Sequence, residues 1–147
     1  MNGHIRRTED FRWKDIPVSA YKPGGTHFAG ITRQLLFDGG EGLRCQLRYF
    51  EVAPGGYSSL ERHRHEHAIM VIRGQGRALV GERILELATH DLVRVPPLTW
   101  HQFRPGGEQP FGFLCMVDCG RDRPERPDAK VVAELRRDPG IAEFIRL

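Results

Sequence analysis

Long apolar runs, blocks of like charge and matched cysteines are missing from this chain, and each absence removes a class of protein. No apolar stretch approaches the ~20 residues that a membrane helix needs. Met1 to Arg7 holds no apolar segment of the secretory kind, so the expected location is cytoplasmic. The 22 basic and 19 acidic residues are interspersed and leave a net charge of +3. Without a Lys/Arg block and interleaved aromatics, that excess is a poor argument for nucleic acid. It fits surface solubility, with one or two arginines free to bind an anionic substrate. Three cysteines, Cys45, Cys115 and Cys119, cannot all pair. Cys115-Met-Val-Asp-Cys119 also lacks the Cys-x-x-Cys spacing of redox and zinc-ribbon sites, so no structural disulfide is expected.

Turn residues are what the chain has in quantity. Its 17 glycines and 10 prolines exceed the roughly 12% average for the pair. They fall between short apolar runs, the pattern of an all-β sandwich or barrel. At 147 residues the chain is one domain's worth. Residues 28–37 predict a strand that stops at Asp38-Gly39-Gly40. Residues 43–52 predict the next, with Cys45, Leu47 and Tyr49 on one face and Gln46, Arg48, Phe50 and Val52 on the other; either face can point inward. Further strands are predicted over 57–63, 67–73, 77–80, 83–87, 91–95 and 111–117, with a β-meander across Gly81-Glu82 that leaves no room for helices.

The ends carry different patterns. Residues 9–13 predict a helical turn, with Trp13, Ile16 and Val18 packed on the outside of the barrel or on a second subunit. After Cys119 a polar, proline-broken linker runs to residue 127. Asp128 can then cap a helix through Arg137, with Val131 and Leu135 at i,i+4, and Ile141, Phe144 and Ile145 form a second apolar stripe. The expected organisation is a lead-in over 1–27, a β-barrel over 28–119, and a linker with short helices over 120–147.

The chemistry concentrates near the middle. Glu61, His63, His65 and His67 share one parity and hence one face of an extended strand. A straight strand would spread Glu61 and His67 over roughly 20 Å, too far for one ion whose ligand atoms lie about 2 Å away. A bend at Arg64-His65-Glu66 is therefore required, with His67 arriving on the next strand.

These residues resemble the first motif of the cupin superfamily, in which a glycine leads to two ligands two apart, a third four residues later and a glycine seven beyond that. Counting back from Gly74 gives His67, His63 and Glu61, with Gly56 ahead of them. The alternative start at His63 and His65 would place Ile69, which cannot coordinate, in the third position. The second motif is similar to the stretch from His90-Asp91 through Pro96 to His101. His90 and Leu98 stand where the family has glycines, and Pro105 replaces its asparagine; none of these departures removes a ligand.

The resemblance implies an all-β fold, a single cupin-type barrel or jelly roll with a short C-terminal helical tail. It implies one divalent transition metal, Mn, Fe, Ni, Cu or Zn, on Glu61, His63, His67 and His101, and pairing into a homodimer. Around the metal it points to a pocket of His65, Gln46, Arg48, Ile69, Val71, Phe103, Phe113 and Cys115; from its residue type alone Cys115 reads sooner as a small buried hydrophobe. No separate general base stands out. The expected activity is that of a metal-dependent enzyme on a small organic molecule, foremost a dioxygenase, since an apolar cavity favours dioxygen. A non-catalytic small-molecule sensor and a metal-dependent isomerase or decarboxylase are the alternatives. Neither nucleic acid nor membrane is expected as a partner.

Overall fold

Alternation of apolar and polar residues along short strands dictates two facing sheets here, because one face of each strand must leave water. The computed structural model describes residues 3–147; Met1 and Asn2, the start of the expected lead-in, lie outside the described residues. Eleven strands and two short helices follow in chain order: β1 (Arg7–Glu9), β2 (Arg12–Trp13), β3 (Ser19–Ala20), β4 (Ala29–Phe37), β5 (Cys45–Tyr57), β6 (His67–Arg73), β7 (Gly76–Val80), β8 (Arg83–Leu87), β9 (Leu92–Val95), β10 (His101–Pro105), β11 (Phe111–Asp118), α1 (Ala129–Leu135) and α2 (Pro139–Phe144). A six-stranded sheet has the order β3-β4-β5-β11-β6-β9, and a three-stranded sheet the order β10-β7-β8. Neighbours within both sheets run antiparallel.

Between the sheets lies one apolar core. Phe50 and Val52 of β5 meet Phe111, Phe113, Cys115 and Val117 of β11, and Ile69 and Val71 of β6 close the next row. The face of β5 that carries Arg48 is thus the inward one, since the Arg48, Phe50 and Val52 set pairs across to Cys115, Phe113 and Phe111. Each buried Phe or Val contributes roughly 1.5–3 kcal/mol through burial, so this row fixes the register.

A second cluster of Leu60, Leu79, Ile141, Phe144 and Ile145 seats α2 on the opposite face of β7. Asp128 caps α1 by accepting from Val131 N, and Asp138 caps α2 by accepting from Gly140 N and Ile141 N. Gln102, wholly buried, donates to the Ser58 and Arg146 carbonyls and accepts from Arg146 N, fastening the chain's end to β10. The tail therefore pads the barrel's flank.

Three local expectations are corrected. Residues 9–13 do not form a helical turn: β1 and β2 make a hairpin there, with Phe11 at φ 56° and both Phe11 and Trp13 packed on Tyr49. Strand β5 does not stop at Val52 but continues through Pro54 to Tyr57, with the pairing to β4 shifting register across this stretch. An irregular pairing of this kind is where a sheet tolerates proline. Gly56 lies so close to the Ala29 carbonyl that a Cβ would fall 2.6 Å from its oxygen. Finally, residues 57–63 form no full strand: beyond Tyr57 the strand-type pairing is reduced to isolated bridges, Glu61 to His101 and Arg62 to Glu125.

Candidate metal centre

His63 leaves the bridged segment just before the bend, His67 opens β6, and His101 opens β10. Antiparallel bridging of Glu61 to His101 brings the second motif onto the first. The carboxylate of Asp122 holds the corner in shape, accepting from Arg64 N at 2.7 Å and from His65 N at 2.9 Å. The Leu98 amide, with Leu98 itself at φ 53°, donates to the His63 carbonyl at 2.7 Å. His90 also lies at positive φ, 75°. The left-handed turns of the two glycine positions survive although neither residue is glycine.

Ring nitrogens of His63, His67 and His101 lie within 4.8 Å of one another, and His63 and His101 are nearly inaccessible. A carbonyl can only accept, so the contacts of His63 Nδ1 with the His65 carbonyl at 2.6 Å and of His101 Nδ1 with the Thr99 carbonyl at 2.9 Å put both protons on Nδ1. Each Nε2 lone pair is left to face the cluster, the arrangement that orients imidazoles for metal. His67 Nε2 sits 2.8 Å from His63 Nε2, and its Nδ1 sits 2.7 Å from Cys115 Sγ. Without an ion, His67 Nε2–H donates to His63 and Nδ1 accepts from the thiol. With an ion, Nε2 must release that proton and Nδ1–H then donates to sulfur. Burial, with the neighbouring imidazoles adding to it, pushes His63 down to about 4 and His67 well below its ordinary value; burial also lowers His101. Neutral imidazoles are what a divalent ion requires, so this donor set fits one.

The other predicted residues are distributed unevenly. Glu61 lines the same cavity, but its carboxylate accepts from Lys22 Nζ. His65 stacks flat on His63, centroids 3.6 Å apart, while its Nδ1 turns to Asp122 Oδ1 at 2.8 Å. Arg48, Phe103, Phe113 and Cys115 line the cavity. Ile69 and Val71 do not: they point inward as their parity requires, but pack behind it in the core. Gln46 is also absent from the wall and instead accepts from Arg121 Nη1 at 2.6 Å. The cavity measures about 240 Å³, below the roughly 300–1,000 Å³ of drug-sized ligand pockets.

Sequence reasoning missed several wall residues. Tyr21 and Lys22 come from the lead-in, Arg33 from β4, and Arg121, Asp122 and Pro124 from the linker. The parity of Arg33 with Ile31 on β4 was the one available signal. The contributions of the lead-in and linker depend on where those segments cross the barrel.

Two facing antiparallel sheets with a histidine cluster between them define a cupin barrel, and the chain belongs to the cupin superfamily. Residues 48–117 match the cupin domain family. Over 136 residues the chain is 46% identical to 1-methylthio-D-xylulose 5-phosphate methylsulfurylase of Rhodospirillum rubrum, covering 92% of this chain and 86% of that protein. A crystal structure of a cupin 2 conserved barrel domain protein from Rhodopseudomonas palustris is 50% identical, with TM-score 0.92, over 98% of this chain and 99% of that one. A cupin-2 domain structure from Rhodospirillum rubrum is 46% identical, with TM-score 0.86, over 92% and 91% of the two chains. Among the described residues, no helix is long and apolar enough to cross a membrane.

Proposed function

We propose that this chain is a metal-dependent cupin enzyme that acts on a methylthio-substituted sugar phosphate, the substrate class named for its Rhodospirillum relative. The observation that carries the reading is one small cavity lined by four imidazoles, three of them clustered as a metal would need, the Cys115 thiol and a cationic wall. A divalent ion bound to the Nε2 atoms of His63, His67 and His101 would supply Lewis acidity toward a carbonyl oxygen. Glu61 is the proposed fourth ligand, which requires Lys22 to let go of its carboxylate. Burial raises the Cys115 thiol above its ordinary value and Arg48, 3.4 Å away, opposes that shift. Cys115 is the proposed sulfur nucleophile of the cavity: Arg48 favours its charged form, and with the ion on His67 Nε2 the Nδ1–H of that ring donates to its sulfur.

The dioxygenase expectation rested on the family resemblance and on an apolar cavity. Lys22, Arg33, Arg48 and Arg121 line this one beside its apolar residues, which weakens the second ground. The proposed assembly is a homodimer.

Two measurements test the reading. Metal-loaded protein given 1-methylthio-D-xylulose 5-phosphate and a thiol reductant should consume it without taking up dioxygen, and Cys115→Ser should abolish turnover while keeping its metal. Tight binding with no product would favour a sensor instead. Elemental analysis should show metal lost in His67→Ala and kept in His65→Ala, with affinity lowered by Glu61→Gln and raised by Lys22→Met.

A further inference from the structure

Arg33 and Arg48 sit on the inward faces of adjacent strands, β4 and β5, where arginine is costly to bury without a partner. Arg48 is only 8% exposed, and the Nε atoms of both Arg33 and Arg48 are buried with no hydrogen-bond partner. Arg121 reaches the same wall from the linker. Among the described residues, none of the three pairs with a carboxylate, whereas Arg7, Arg12, Arg62, Arg73, Arg77 and Arg94 all do. The carboxylates that share the cavity are taken: Glu61 by Lys22, and Asp122 by the 64–65 corner and the His65 ring. Arg48 and Arg33 also depress Arg121, after burial, so the three charges feel one another.

Crowded like charges without a counter-ion define a place for an anion. We propose that Arg33, Arg48 and Arg121 form a subsite for the phosphate of a phosphate monoester whose other end reaches the three imidazoles. Guanidinium forks match phosphate oxygens in a way a lysine does not. Cys115 lies between the two ends, 3.4 Å from Arg48 Nη2 and 2.7 Å from His67 Nδ1, so a short carbon chain spans them. The imidazole end rests on the functional reading above; the anion end rests on the arginines alone.

Calorimetric titration with xylulose 5-phosphate, xylulose and inorganic phosphate tests this on protein both metal-loaded and chelator-treated. The sugar phosphate should bind at least about tenfold more tightly than the sugar in both states, with inorganic phosphate competing. Arg33→Gln and Arg48→Gln should each weaken sugar phosphate binding about tenfold or more and leave xylulose binding unchanged, while Arg48→Lys recovers part of the loss. Should the inward-facing variants fail to fold, Arg121→Gln provides the same comparison from the linker. Equal affinity for the sugar and its phosphate, or folded arginine variants that bind like the parent, would overturn the subsite. Arginine-dependent phosphate binding without turnover of the methylthio substrate would support the subsite and sink the functional reading instead.

Discussion

His67 carries the most consequence of any single residue, because its two ring nitrogens face different chemistry: imidazole on one side, thiol on the other. The same burial that makes it a ligand makes its protonation unfavourable. His63, His67 and His101 all have folded values below the unfolded 6.5, His63 near 4. As pH falls below about 6.5 the unfolded chain takes up protons that the folded protein refuses, so stability drops. For metal-free protein, thermal melts should therefore show Tm constant above about pH 7 and falling progressively from pH 6.5 toward pH 4. A His63→Gln, His67→Gln, His101→Gln triple variant should lose most of that slope. A Tm independent of pH across this window would mean that the imidazoles are open to water.

At the scale of elements, the site depends on turns that hold backbone in place. Leu98 occupies a left-handed conformation, about half exposed, while its amide braces the His63 carbonyl. A non-glycine residue there costs on the order of 1–3 kcal/mol, and glycine returns part of that through its own unfolded-state entropy. Leu98→Gly should accordingly stabilise the protein by about 0.5–1 kcal/mol in urea unfolding, with metal content unchanged; destabilisation would show that Leu98's side chain, not its backbone, matters. Gly74 is the opposite case: at φ 64° its Cβ would fall 2.3 Å from the Pro110 carbonyl oxygen, so no side chain fits. The motif thus keeps glycine where space forbids anything else and gives it up where only strain is at stake.

At the scale of the molecule, the six-stranded sheet has an outer face that is only partly covered. The β1–β2 hairpin packs Phe11 and Trp13 on Tyr49, whereas Leu92 is 73% exposed and Met70, its cross-strand partner on β6, and Met116 on β11 are exposed beside it. This apolar stripe is the surface that the proposed homodimer would bury. Sedimentation equilibrium should give twice the monomer mass for the parent and the monomer mass for Leu92→Glu with Met70→Lys; a monomeric parent would remove the dimer.

Strand alternation and ligand spacing were enough to read an all-β barrel or sandwich and the bend at residues 64–66, because period-two burial and the reach of an imidazole are local rules; the approach of His101 came from the resemblance to the second cupin motif. The resemblance pointed to Arg48, Phe113 and Cys115, since alternation left either face of β5 free to point inward; with His101 inward, the same rules put Phe103 there. They could not say that Ile69 and Val71 lie behind the cavity and not on it, since parity gives a direction but no depth. Nor could they show Lys22 against Glu61, Asp122 gripping the corner, or Arg33 and Arg121 beside Arg48. The contacts of Lys22, Asp122 and Arg121 join residues dozens of positions apart and depend on where the lead-in and the linker cross the barrel, whereas Arg33 comes beside Arg48 through the pairing of β4 with β5. The sequence alone determined which side chains can serve as ligands; tertiary structure decided which charges face them, because charge pairing depends on distance in space and not on separation along the chain.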